Sequence, residues 1–206
     1  MVPASAATWT LAGQIPVAGN GGWDYLTFQP TPPLLYVTHQ DHVAVLDLKS
    51  QKEIGSIPGD GIHGVALVPD LNRGFVTNGK SGTVTVFDLK TFQVIGTVPA
   101  QPDADAICYE PVSRRVLTLN GDSASSTVID PAQDKAITNL PLGGKPEFAR
   151  PDGKGAVYAN LVDKDQVVKI DAVAIKVAAR WPLPAGSKPT SMAIDQDGRR
   201  LFIGCR

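Results

Sequence analysis

Four residues able to hold a cation or a hydrogen-bonding ligand recur at near-constant spacing along the chain. Asp24, His63, Asp105 and Glu147 are separated by 39, 42 and 42 residues, and Ser191 follows 44 further on. A second row, His39, Asn78, Asn120, Asn160 and Cys205, trails the first by 15, 15, 15, 13 and 14 residues. Carboxylates and imidazoles are ligands for divalent metals, and with amides they are the hydrogen-bonding types that hold polar ligands. Several carboxylates converging on a narrow opening repel one another, which a divalent cation or a positively charged group would relieve. His63, Asp24, Asp105 and Glu147 are therefore the candidate metal ligands. The competing reading is structural: each repeat simply needs a polar residue where a strand meets solvent. The residue type changes from copy to copy while the framework stays constant, which favours a binding role.

These positions are equivalent only because the chain repeats. An apolar residue followed by proline recurs at Ile15-Pro16, Ile57-Pro58, Val98-Pro99, Leu140-Pro141 and Trp181-Pro182, with steps of 42, 41, 42 and 41. Asp47, Asp88, Asp130 and Asp171 close alternating segments with steps of 41, 42 and 41. Two independent markers thus share one period. The cleanest copy, Phe75 to Pro99, reads FVT, TVTVFD and QVIGTV separated by polar turns. Its period-two alternation and its Val, Thr and Phe content specify antiparallel strands. Four strands in about 41–42 residues is the size of a β-propeller blade. The fold predicted is all-β, with blades over 23–58, 62–99, 104–141 and 146–182, a partial blade over 190–206 and a lone outer strand over 8–16. Antiparallel pairing brings the two rows together at one mouth of the channel, as a polar collar.

Other polar features read as structural. The four recurrent aspartates precede turns and are expected to accept backbone N–H groups there. Asp195-Gln196-Asp197-Gly198 resembles the start of a calcium loop but has no closing glutamate, so a hairpin turn is expected. Asp103 is a possible extra ligand beside Asp105. The chain has no P-loop, GxGxxG, GxSxG or HExxH motif, and no nucleophile–base pair is identifiable by spacing. Cys108 and Cys205 match no metal or redox spacing and are expected as separate, half-buried thiols.

The runs YVTH (36–39), FVTN (75–78) and VFDLKT (86–91) resemble the YVTN repeat of the YncE-like β-propeller family. The resemblance spans about residues 14–206. It implies a ring often built of seven blades, of which this chain would be an incomplete portion; closure by another chain is the alternative. Two functions follow as expectations. The first is an exported module binding a small polar ligand or a protein partner, with no catalysis assigned. The second is a divalent-metal-dependent hydrolase, since propeller lactonases similarly arrange Glu, Asp and Asn around a central cation. Single-stranded nucleic acid binding occurs in the wider family, but a net charge of −1 offers no basic groove for it.

Composition sets the outer bounds. The 206 residues suffice for one domain with a full core, and 43% hydrophobic with 19% charged residues is ordinary for a globular protein. No apolar run reaches the roughly 18 residues that span a membrane as a helix. Residues 1–7 are read as a flexible tail or the remnant of an export signal. Ala4-Ser5-Ala6 has the small-x-small form of a signal-peptidase site, so a periplasmic or extracellular location is expected.

Overall fold

The computed structural model describes residues 9–19 and 22–206. Residues 1–7 with the Ala4-Ser5-Ala6 site lie outside the described residues. The strands form in sets of four. Blade one holds β1 (Trp23–Gln29), β2 (Leu34–His39), β3 (His42–Asp47) and β4 (Lys52–Pro58); blade two holds β5 (Ile62–Val68), β6 (Arg73–Asn78), β7 (Thr83–Asp88) and β8 (Val94–Pro99). Blade three holds β9 (Ala104–Glu110), β10 (Arg115–Asn120), β11 (Ser125–Asp130) and β12 (Lys135–Pro141). Blade four holds β13 (Pro146–Pro151), β14 (Ala156–Leu161), β15 (Gln166–Asp171) and β16 (Lys176–Pro182). A two-stranded sheet follows, β17 (Pro189–Asp195) and β18 (Arg200–Cys205). Each four-stranded sheet is an antiparallel meander in sequence order, and the first strands of successive sheets lie side by side. This is an incomplete β-propeller.

The core lies between the blades. Tyr36, Val43, Val45 and Ile57 of blade one pack on Ile62, Val65, Val76 and Phe87 of blade two. Phe75, Val84, Val86 and Val98 meet Val116 and Ile129 of blade three, and Leu117, Leu119 and Val128 meet Val157, Leu161 and Val168 of blade four. Middle strands are therefore covered on both faces, and the interior of TVTVFD is buried throughout, Thr85 included. The outer strands β4 and β8 are largely exposed, with one residue near the end of each, Ile57 and Val98, buried.

The turns follow from the recurrent aspartates. Asp47 Oδ1 accepts Lys49 N–H at 2.8 Å, and Asp88 Oδ1 accepts Lys90 and Thr91 N–H at 2.8 and 2.9 Å. Asp130 holds Ala132 N–H and Asp171 holds Val173 and Ala174 N–H in the same way. These bonds keep the carboxyls of Asp47 and Asp88 below the usual carboxylate range. Asp195 Oδ1 accepts Gly198 N–H at 2.8 Å, which makes that segment a hairpin turn.

The strand expected over 8–16 is not formed. Residues 9–19 carry no strand; Ile15 and Val17 instead pack on Val37, Ala44 and Leu46 of blade one. A strand needs a ladder partner for its N–H and C=O groups, and no described strand pairs with this segment. The cysteines also differ from expectation. Cys108 is buried, its thiol pushed up to about 12 by desolvation, whereas Cys205 is exposed; both are free.

Candidate functional site

The collar residues sit in a β-bulge repeated in every sheet. Trp23 pairs with His39 and Leu26 with Val37, so three steps along β1 answer two along β2. The same offset separates Ile62 from Val65, Ala104 from Ile107 and Pro146 from Ala149. The bulged segments contain Asp24, His63, Asp105 and Glu147. A bulge adds one residue, kinks the strand and re-aims its side chains, so a regular ladder converts here into a presentation site.

Threonines of the repeated motif fix that backbone. Thr77 Oγ accepts Gly64 N–H at 2.9 Å and donates to Asp105 O at 2.5 Å, tying β5 to β9 beside His63 and Asp105. Thr38 Oγ donates to Tyr25 O within blade one, and Thr27 Oγ donates to Val65 O, linking blades one and two, each at 2.9 Å. Gly64 lets the two inner strands close: a Cβ there would meet Ile107 N at 3.2 Å and Asp105 O at 3.3 Å.

The result is a compact triad. His63 Nδ1 lies 2.7 Å from Asp24 Oδ2 and 3.5 Å from Asp105 Oδ1. Ligand atoms of Asp24, His63 and Asp105 all fall within 4.8 Å of one another. Asp24 contributes from blade one, His63 from blade two and Asp105 from blade three. The hydrogen bond to Asp24 raises the imidazole pKa, against desolvation, with Asp105 and Asp103 adding to the rise. Burial lifts Asp105 from 3.8 to about 7; His63 counteracts this, while Asp24, Asp103 and Glu147 reinforce it. Asp105 Oδ1 is buried and has no hydrogen-bond partner among the described residues.

Surrounding charges are largely spoken for. Lys145 Nζ lies 3.4 Å from Asp103 and 3.6 Å from Asp122, and the Arg206 guanidinium lies 3.8 Å from Glu147. Asp24 and Asp105 are left sharing one imidazole. Beneath them Tyr25 crosses the channel: its hydroxyl donates to Glu147 O at 3.0 Å and its ring lies 5.3 Å from that of Phe148. Burial and the neighbouring carboxylates of Asp105, Asp24 and Glu147 push the phenol pKa upward, so Tyr25 stays a neutral donor. Past it, a channel cavity of about 730 Å³ is lined by inner-strand residues of all four blades, Phe28, Leu67, Cys108 and Arg150 among them.

The remaining members of the two rows do not join this triad. Glu147 acts on it through its charge, but its carboxylate lies outside the converging set. Asn78 and Asn120 are buried within their blades. Asn78 donates to Thr83 and Thr85 Oγ and accepts Asp60 N–H; Asn120 donates to Ser125 and Thr127 Oγ and accepts from Thr118. With donors and acceptors satisfied internally, both are struts under the mouth. In blade four Leu161, not Asn160, stands opposite Pro146; Asn160 lies one residue inside and donates to Ser191 O at 3.0 Å. His39 belongs to a separate group with Asp41 and His42. Tyr25 and Thr77 were missed in the sequence reading. Tyr25 carried no signal beyond following Asp24, whereas Thr77 and Thr38 were visible as the shared threonine of FVTN and YVTH.

Comparison with solved structures agrees with the architecture. The chain superposes on Kuenenia stuttgartiensis hydrazine synthase with a TM-score of 0.81 and 19% identity, covering 95% of this chain and 58% of that one. It superposes on the β-propeller domain of Myceliophteria thermophila Cps50 (Swd1) with a TM-score of 0.76 and 13% identity, covering 91% of this chain and 64% of that one. At these identities the likeness is one of fold. The chain spans about three fifths of the length of each. No protein-family model matches the chain, and no curated protein sequence matches it.

Proposed function

We propose that this propeller is a binding module whose ligand site is the channel mouth formed by Asp24, His63 and Asp105, with Glu147 as a flanking charge. Its ligand is a divalent cation, or a small polar molecule presenting a positive group. The observation that carries this reading is the buried Asp105 Oδ1, which has no hydrogen-bond partner among the described residues and only His63 Nδ1 at 3.5 Å, within a set of converging ligand atoms. A buried carboxylate oxygen without a partner is costly, and an arriving cation satisfies it. Two carboxylates and one imidazole, a mixed oxygen and nitrogen set, suit Mn²⁺ better than a soft metal. The motif runs YVTH and FVTN support a YncE-like relationship, because their threonines hold the site. Export to the periplasm or beyond rests on Ala4-Ser5-Ala6 and that resemblance.

Calorimetric titration of Mn²⁺ into the full chain at pH 8 tests the reading. His63→Ala and Glu147→Ala should both weaken binding, His63→Ala more. Unchanged affinity and unchanged thermal stabilisation by Mn²⁺ in both variants would end it.

A second reading, a metal-dependent hydrolase, draws on a different observation. His63 is oriented by Asp24, and burial brings Asp105 to about 7, where a general acid or base works best near neutral pH. Lactone and ester substrates with Mn²⁺, Ca²⁺ or Zn²⁺ supply the test. No turnover with any of them removes the catalytic reading and leaves the binding one standing.

A further inference from the structure

A second set of metal-binding side chains lies at the hairpin between β2 and β3. The two-residue turn Gln40–Asp41 joins them, and His39 and His42 stand directly opposite across it. Their rings lie 4.9 Å apart. Asp41 at the tip faces both: its Oδ1 is 3.2 Å from His39 Nδ1 and 2.7 Å from His42 Nδ1. One ligand atom from each of the three residues lies within 4.8 Å of the others. A tetrahedral zinc with bonds of 2.0–2.1 Å needs ligand atoms about 3.3 Å apart; the Asp41–His39 pair already stands at 3.2 Å, and the Asp41–His42 pair must open from 2.7 Å.

The hairpin is held ready. Gly61 and Ile62 N–H donate to Gln40 O at 3.0 and 3.1 Å, and Gly59 N–H donates to Asp41 O at 3.0 Å. The turn is thus braced by the loop into blade two, and little chain entropy remains to be lost when three ligands close on one ion. The Trp23 ring sits edge-on to His39 at 4.3 Å and fixes its plane. Gly19, with φ of +119°, covers the other side; a Cβ there would meet His39 Nε2 at 3.1 Å and His42 Cε1 at 3.5 Å.

His39 is the buried member of the set. Its side chain is 1% exposed, and Nε2 has no hydrogen-bond partner among the described residues. Nδ1 is the nitrogen that faces Asp41, so it is the one placed to join an ion shared with Asp41 and His42. His42 and Asp41 are 22% and 78% exposed, so an ion has access from solvent.

We propose that His39, Asp41 and His42 form a binding site for a first-row divalent metal of the zinc class, distinct from the channel-mouth site. Two imidazoles and one carboxylate leave one tetrahedral position open to water or an external ligand. Imidazole-rich coordination separates it from the carboxylate-rich mouth, which favours Mn²⁺.

The test uses the full chain without a polyhistidine tag at pH 7.5, with Zn²⁺ titrated against a chromophoric chelator. The wild type should bind one equivalent tighter than roughly 0.1 mM. His42→Ala and Asp41→Asn should each weaken this equivalent by about tenfold or more, while His63→Ala leaves it unchanged. Asp41→Asn touches an exposed carboxylate, so its effect is separable from folding. As a second readout, Cu²⁺ should quench Trp23 fluorescence in the wild type and not in His42→Ala. Absence of such binding, or loss in His63→Ala with retention in His42→Ala, would overturn the proposal.

Discussion

Replacing Asp105 by asparagine should stabilise the protein at pH 8 and abolish cation binding at the channel mouth. A carboxyl whose pKa is about 7 in the fold and 3.8 outside it holds its proton more tightly when folded. Stability therefore falls as pH rises from about 4 to 7, and above both values the charged group weighs fully against the fold. Three pKa units correspond to about 4 kcal/mol at 1.36 kcal/mol per unit. The side chain is 21% exposed and shares its charge with His63, which reduces the cost to about 2–4 kcal/mol. Asparagine mimics the protonated shape without the charge. The variant should match wild type only below about pH 4, already exceed it at pH 5, and exceed it at pH 8 by about 2–4 kcal/mol, roughly 5–10 °C in Tm for a chain of this size. Raising the pKa of His63 acts in the same direction: its contact with Asp24 stabilises below its ordinary pKa and is lost as pH climbs through the raised one. Wild-type Tm should thus decline from pH 5 to pH 8, and Asp105→Asn should flatten that slope. Mn²⁺ at pH 8 should restore stability to the wild type by mass action and leave the variant unmoved. Thermal melts in chelator and in Mn²⁺ at the two pH values decide the matter. A variant less stable than wild type at pH 8, or one still stabilised by Mn²⁺, would refute the reasoning.

Three further outcomes follow from the geometry. Glu110 is fully buried and its carboxylate accepts N–H from Val112, Ser113 and, across the blade boundary, Gly155 at 2.9 Å. Glu110→Ala strands those donors and should cost about 2–4 kcal/mol in denaturant unfolding, with Glu110→Gln recovering part. At Gly74 an added Cβ would collide with the buried Phe87 ring, so Gly74→Ala should lower stability by about 1–3 kcal/mol, read from the urea midpoint. Tyr25→Phe removes the donor to Glu147 O while keeping the packing on Phe148, and should cost about 1 kcal/mol with cation affinity nearly unchanged.

The repeat was legible in the sequence because each mark has a local cause. The proline after each outer strand, the aspartate capping each turn through its own neighbours' N–H groups, and the two-residue alternation all act within a few positions. They fix strands, turns and blade order wherever the chain is placed, so an all-β propeller follows from them. The spacing of Asp24, His63 and Asp105 was legible for the same reason, as one position sampled in three copies.

Which of those residues meet depended on contacts between copies. Asn78 and Asn120 share the spacing of the second row, yet the hydroxyls of the third strands turn them into the blades. A one-residue offset puts Leu161 where Asn160 was expected, and although every blade carries the same bulge, His63 reaches Asp24 and Asp105 while Glu147 stays outside the converging set. His39 was assigned to the collar by its spacing; the two-residue hairpin draws it to Asp41 and His42 instead. Periodicity specifies the element a residue occupies. The direction and burial of its side chain are set by bulges, glycine clearances and inter-blade packing, which arise only when distant copies are folded against one another.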